Sequence, residues 1–253
     1  MLPAKVSFRL DGKRALVSGA GRGIGLAAAA ALADAGAHVI LASRTLDEVA
    51  AGAAEIRAAG GSAEAIRLDV NDLLATRAAL AAQSGFDILV NNAGTNRPRG
   101  FLEVTPDDFD TIMGLNVRAA FFLAQAVAAG MVAAARGGAI INISSQMGHV
   151  GAARRSVYCA SKWAMEGMTK AMAIELGPHN IRVNTLCPTF IETAMTAPFL
   201  AEPGFREGVV SKIKLGRLGQ VEDLTGAVVF LASDAASLMT GSSLLIDGGW
   251  TAD

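Results

Sequence analysis

The stretch Ala15-Leu16-Val17-Ser18-Gly19-Ala20-Gly21-Arg22-Gly23-Ile24-Gly25 decides the fold, and an alanine-rich run, Leu26 to Ala33, follows it directly. A short apolar run reads as a buried strand, the glycines as a turn, and the alanines as a helix. A turn that brings backbone N–H groups and a helix N-terminus against a pyrophosphate needs residues without Cβ where the chain bends and where the ligand approaches. Gly19, Gly23 and Gly25 fill those places, and Gly21, Arg22 and Ile24 complete the turn. Glycines alone would also suit a tight turn with no ligand. The strand before and the helix after are the context that favours a nucleotide.

Six further runs recur along the chain: His38–Leu41, Ala65–Leu68, Ile88–Val90, Ala139–Ile143, Ile181–Asn184 and Ser243–Ile246. Stretches rich in Ala, Leu, Glu and Arg separate them, and no composition shift marks a linker. Alternation of this kind predicts right-handed βαβ crossovers: a single-domain α/β protein over residues 1–253, with a Rossmann-type doubly wound parallel sheet of seven strands and helices on both faces. Any ligand then sits at the carboxyl ends of the strands. Pro106 opens a helix after Thr105 that runs toward Arg136, where Gly137-Gly138 ends it. Residues 190–219 have weak periodicity and carry Pro198, Pro203, Gly204 and Gly216, which reads as a lid or substrate loop, or else as a surface excursion.

Of 253 residues, 52% are hydrophobic and 18% charged, which suits a buried sheet. Lysine and arginine number 22 against 23 acidic residues, so a net charge of −1 gives no field for gathering nucleic acid or an anionic membrane. Cys159 and Cys187 match no metal-ligand spacing, so no metal is expected, and two isolated thiols suit a reducing cytoplasm. Met1 to Leu10, with Lys5 and Arg9, lacks the apolar core of a secretory signal. Apolar stretches such as Gly25–Ala33 fall short of the roughly 20 residues of a membrane span, so no membrane association is expected.

An acidic residue at the end of the second strand usually marks an NAD site, where it binds the ribose 2′-hydroxyl. Ser43 stands there, followed by Arg44, and with Arg22 two guanidinium groups could embrace a 2′-phosphate. NADP(H) is therefore expected over NAD(H). The alternative leaves both arginines as solvated charges.

After the fifth strand come Ser144-Ser145, and thirteen residues beyond Ser145 comes Tyr158-Cys159-Ala160-Ser161-Lys162. Tyr158 is the only tyrosine. Tyr158 and Lys162, four apart on a helix, share a face, so an ammonium can approach the phenol and favour phenolate while desolvation opposes it. Ser145 can donate to a substrate oxygen as charge develops. The serine after a strand, the glycine turn and Asn91-Asn92-Ala93-Gly94 all fall at one sheet edge.

Together these motifs resemble the short-chain dehydrogenase/reductase family over nearly the whole chain. The resemblance implies that Ser145 positions substrate, that Tyr158 is the acid/base, and that Lys162 holds the nicotinamide ribose and lowers the tyrosine pKa. It further implies that Asn116 supports a proton relay through water and Lys162, that Asp69-Val70 hold the adenine, and that Asn92-Ala93-Gly94 border the cofactor. After the sixth strand the family usually has Pro-Gly, whereas Pro188 is followed here by Thr189. Ile191 and Thr193 still match the part that meets the nicotinamide carboxamide. Some sugar- and carbonyl-reducing members carry threonine at that position.

The implied reaction interconverts a carbonyl and a secondary alcohol, with a small polyol, sugar derivative, hydroxy acid or ketone as substrate. Bulkier ketones, 3-oxoacyl thioesters, an NAD-preferring dehydrogenase, or a nucleotide-sensing protein without turnover are the alternatives. Candidate substrate contacts are Asn96, Gln146, Met147, Phe190 and Met195; Arg97, Arg99, His149, Arg154 and Arg155 would add a polar mouth if they face inward. The resemblance implies a homotetramer, for which helices 106–136 and 156–176 are apolar on more than one face and Trp250 is a candidate anchor.

Overall fold

The computed structural model describes residues 6–83 and 85–252. Lys5, part of the amino-terminal stretch read as lacking a leader, lies outside the described residues.

Seven strands form one wholly parallel sheet: β1 (Arg14–Ser18), β2 (His38–Ser43), β3 (Ser62–Arg67), β4 (Ile88–Asn91), β5 (Gly138–Ile143), β6 (Ile181–Pro188) and β7 (Ser243–Ile246). Their order in space is β3-β2-β1-β4-β5-β6-β7. The strand order therefore reverses beside β1, where Val17 pairs with Leu41 on one side and Val90 on the other. That reversal opens a crevice at the carboxyl ends of β1 and β4.

Covered faces explain the apolar strands. On one face α1 (Gly23–Asp34), α2 (Leu46–Ala58) and α9 (Glu222–Ala232) bury Ala29, Leu32, Val49, Ala53, Val228 and Leu231 against Val17, Val39, Leu41 and Val90. On the other, α5 (Ala120–Ala134) and α6 (Ser156–Leu176) bury Leu123, Val127, Met131 and Ala173 against Leu16, Ile40, Leu89 and Ile140. The short α3 (Leu73–Ala81) lies beside α5.

The helix expected from Pro106 exists, but in three pieces. In α4 (Pro106–Met113) the Thr105 hydroxyl accepts from Asp108 N at 3.1 Å, and the Asp108 carboxylate accepts in return from Thr105 N at 3.3 Å. This reciprocal pair satisfies two amides that a helix start would leave bare. Gly114–Ala119 then widens to a π-turn before α5, a device that re-aims side chains within a continuous helix. The end comes at Ala134, with Ala135 in the left-handed region (φ 52°) and Gly137 at φ 72°. The 106–134 helix has the length and apolarity to cross a bilayer, which the sequence reading did not identify. Its buried face lies in the core beneath the sheet.

Residues 190–219 contain two short helices, α7 (Ala197–Leu200) and α8 (Phe205–Val210). Val209, Ile213 and Leu218 make a small core there with Phe190, Leu200, Phe205 and Trp250. Leu/Ile/Val/Phe positions too sparse for one long helix still pack once folded back, which is why periodicity was weak. The segment closes at its base: Gly219 N donates to Phe190 O at 3.0 Å and Glu192 N to Gly219 O at 2.9 Å. Trp250, the candidate subunit anchor, instead packs within its own chain, 5.7 Å from the Phe190 ring.

Candidate active site

Backbone geometry at the β1–α1 turn meets the demand set by the sequence. Gly19 (φ 64°) and Gly23 (φ 57°) occupy the left-handed region, and a Cβ on Gly19 would stand 2.9 Å from Ala93 Cα. A Cβ on Gly25 would collide with the Gly19 carbonyl. Asn92 fastens the turn from β4, its Nδ2 donating to Ser18 O and Gly19 O, each at 3.0 Å. Ser18 Oγ accepts from Asn92 N and Ala93 N in return. At the start of α1, Arg22 offers no capping side chain and the first turn holds no acid. The exposed amides and the positive dipole end therefore suit an anion brought from outside the chain.

A cleft of about 450 Å³ runs from this turn. Gly19, Gly21, Arg22, Gly23, Ile24 and Gly25 form its floor, Ser43 and Arg44 one end, and Asp69 and Val70 a side. Asn92, Ala93, Gly94, Thr193 and Met195 close it toward the sheet. Glu48 also lines it, a residue that sequence reasoning missed because it lies on α2 rather than at the end of β2. Its carboxylate is 3.5 Å from Arg22 and covers Gly21, where a Cβ would be 2.6 Å away.

The cleft is continuous with a cavity of about 130 Å³, because Ile24, Asn92, Gly94, Thr95, Thr193 and Met195 line both. Ser145, Tyr158, Lys162, Pro188, Thr189 and Ile191 converge there. Tyr158 is on the first turn of α6 and Lys162 one turn later. Burial pushes the phenol up to about 12, with the Ser145 hydroxyl and the Arg155 guanidinium pulling the other way. Burial also lowers the lysine to about 8, against the opposing pull of Cys187 and Glu166. Lys162 Nζ donates to Ile143 O at 2.7 Å and stands 5.6 Å from the Tyr158 ring centroid. Lys162 Nζ is held by a β5 carbonyl, and the Arg155 charge is among the influences that pull the phenol down against burial.

Ser145 Oγ donates to Gln146 Oε1 at 2.8 Å and accepts from Met147 N at 3.1 Å. Gln146, only 1% exposed, thus orients Ser145 from behind the cavity wall. The Thr189 hydroxyl is buried without a partner. It stands where the family usually has glycine, and the residue lines the cavity.

Asn116 is fully buried on the π-turn. Its Oδ1 accepts from Thr95 N at 2.8 Å, and its Nδ2 donates to Thr95 O at 2.9 Å and Ser161 Oγ at 3.1 Å. It holds Thr95 in place, and Thr95, not Asn116, faces both spaces. Asn96 Oδ1 is buried without a partner. Met147 and Phe190 line a third cavity rather than the one holding Tyr158. Arg97 is tied to Asp107 at 2.6 Å, and Arg99 stands 3.5 Å from Asp108.

Behind the cavity Glu166 accepts from Thr185 Oγ1 at 2.9 Å and Ser243 Oγ at 2.6 Å, with His149 3.8 Å away. Cys187, buried on β6, has its thiol pushed up to about 12 by that burial and by Glu166. Cys159 is half-buried.

The family model described as enoyl-(acyl carrier protein) reductase matches residues 19–251. An L-xylulose reductase of Mesocricetus auratus is 42% identical over 241 residues, covering 95% of this chain and 97% of that protein. A gluconate 5-dehydrogenase of Gluconobacter oxydans (strain 621H) is 40% identical over 248 residues, covering 96% of each. The crystal structure of a gluconate 5-dehydrogenase from Burkholderia cenocepacia J2315, in complex with NADP and tartrate, superposes with a TM-score of 0.94 at 38% identity over 97% of this chain and 98% of that one. The glycine turn, the cleft at the strand reversal and the convergence of Ser145, Tyr158 and Lys162 agree with these relationships: the chain belongs to the short-chain dehydrogenase/reductase family.

Proposed function

We propose that this protein is an NADP(H)-dependent oxidoreductase that interconverts the carbonyl and secondary alcohol of a sugar derivative, polyol or hydroxy acid. One observation carries the reading: Ser145, Tyr158, Lys162 and Thr189 line a cavity that opens into the glycine-turn cleft. The names of the relatives, L-xylulose reductase and gluconate 5-dehydrogenase, support the substrate class. The NADP in the Burkholderia cenocepacia structure, together with Ser43, Arg44 and Arg22 in the cleft, supports NADP(H). Arg22 would exchange Glu48 for the 2′-phosphate.

The nicotinamide, when bound, supplies or takes the hydride. Tyr158, neutral across the physiological range, gives its proton to the carbonyl oxygen, which Ser145 holds by hydrogen bonding. In oxidation the phenolate takes the proton back. Lys162 holds the ribose and neutralises phenolate charge once its ammonium swings from Ile143, and Asn116 positions Thr95 between the two spaces. The relay from Lys162 toward Asn116 belongs to the same proposal. Residues 190–219 serve as the lid, hinged at the Phe190–Gly219 closure. The chain works without a metal, in the cytoplasm, as a homotetramer.

Turnover of L-xylulose, D-erythrulose and 5-oxogluconate with NADPH and with NADH tests the reading. Activity with at least one of them, higher with NADPH, is expected. Tyr158→Phe should lower kcat by about 100- to 10,000-fold, the usual contribution of a positioned acid/base. Retained activity in that variant would sink the mechanism.

A further inference from the structure

A third cavity, of about 530 Å³, is lined at two points by residues next in the chain to those of the Tyr158 cavity. Met147 in its wall follows Ser145-Gln146, and Phe190 follows Thr189. Arg155 forms part of that wall although the residue is only 6% exposed. It immediately precedes α6, three residues before Tyr158, and its charge reaches the phenol.

A guanidinium has five N–H donors, and burying it without a counter-charge is costly. Arg182, a comparable half-covered arginine, donates to Leu231 O at 2.8 Å and Ser233 O at 3.1 Å. Arg155 makes a single long hydrogen bond, Nη1 to Arg154 O at 3.5 Å, and has no carboxylate within 4 Å among the described residues. Its Cζ lies 5.1 Å from the centre of the Phe199 ring in the 190–219 segment. The residue itself lines the cavity.

The backbone pays locally to hold this arrangement. Arg154 stands in the left-handed region at φ 59°, unusual for a residue with a long side chain, and its carbonyl is pinned by Arg99 N at 3.2 Å. With Arg154, Lys212, 5.4 Å from the Trp250 ring, brings the wall to three cations, and the exposed Glu202, whose charge reaches Arg155, is the one acid among the described lining residues. A pocket walled by a planar cation, with cations outnumbering acids among its lining residues, suits a carboxylate held bidentately.

We propose that Arg155 anchors a substrate carboxylate, so that the natural substrate is a sugar acid, an oxo-aldonate and its aldonate, rather than a neutral ketose. This rests on the reading of the Tyr158 cavity as the reaction site. It separates the two relatives by name, since gluconate carries a carboxylate and L-xylulose does not. The lid takes part, because Phe199 closes one side of the guanidinium.

The test compares kcat/KM for 5-oxogluconate with that for L-xylulose, using NADPH, in the natural protein and in Arg155→Met and Arg155→Lys. The natural protein is expected to favour the acid. Arg155→Met should lower the acid-to-neutral ratio by about 100-fold, mainly through KM, and Arg155→Lys should restore part of it. A natural preference for the neutral ketose, or an equal loss on both substrates, would overturn the anchor. Calorimetric titration of gluconate into NADP-loaded Tyr158→Phe protein, with and without Arg155→Met, separates this idea from the mechanism. Arg155-dependent binding, together with no turnover of any of these substrates by the natural protein, would reject the mechanism and keep the anchor. Binding unaffected by Arg155→Met would reject the anchor alone.

Discussion

At the residue scale, Tyr158 and Lys162 have acquired opposite shifts from the same cause. Burial disfavours charge, so the phenol rises to about 12 and the ammonium falls to about 8. The sign for reduction follows directly: the neutral phenol is present at all working pH values, whereas the cationic form of Lys162 is full below about 8 and lost above it. The kcat/KM for carbonyl reduction should therefore be level in mildly acidic and neutral solution and decline as pH passes about 8, and oxidation, which needs phenolate, should rise with pH. Lys162→Met should lower activity and abolish that alkaline decline. A reduction profile still flat at pH 10 in the natural protein would contradict the assignment of Lys162. Spacing alone supplied the neighbourhood of the two groups, but it also suggested that the lysine directly lowers the tyrosine. In the folded chain Ile143 O holds the ammonium, and Arg155 supplies the nearer field.

At the element scale, the π-turn and the 190–219 segment show how local rules are bent in the folded chain. Extending α4 straight into α5 would satisfy helix propensity, yet the widened turn places Asn116 against Thr95 and Ser161 across a buried interface. The lid holds its shape through a few aromatic contacts. Phe190 packs edge-on to Phe205 at 5.8 Å and against Trp250 at 5.7 Å. Trp250→Ala removes the support beneath the hinge. A loss of about 2 kcal/mol is expected in denaturant unfolding, since the ring is only partly buried and full truncation in a core costs about 3–5 kcal/mol. Proteolysis should speed up between Ala201 and Gly204, and KM should rise more than kcat falls. Unchanged proteolysis together with unchanged KM would show that the segment is no lid.

At the scale of the whole molecule, the sheet's second face is covered by helices that remain apolar outside. Phe109 and Phe121 on the 106–134 helix are 47% and 41% exposed, and Trp163 and Ile174 on α6 are 55% and 78% exposed. Exposed aromatic and branched groups on two neighbouring helices fit a subunit interface better than a solvated surface. A tetramer is expected by analytical ultracentrifugation at micromolar concentration. Phe121→Arg with Trp163→Glu should reduce it to smaller species while leaving the far-ultraviolet circular dichroism intact. A natural protein that sediments as a monomer would remove this assembly from the proposal.

The fold and the cofactor turn were legible in the sequence because both rest on local chemistry. β-branched and apolar runs demand burial, alanine stretches favour helix, and glycines mark places where a Cβ cannot fit, as Gly19 against Ala93 demonstrates. Tyr158 and Lys162 were legible for a similar reason, since i,i+4 spacing is fixed by helix geometry. What only tertiary structure decided are the relations between residues far apart in the chain. Glu48 reaches Arg22 across two βα units, and Asn116 turns to Thr95. Trp250 folds back beneath Phe190, and Arg155 comes to lie beside the Phe199 ring with no carboxylate within 4 Å among the described residues. No spacing rule carries such information, because charge pairing and desolvation depend on which surfaces meet, and that is settled when the sheet and its helices close on one another.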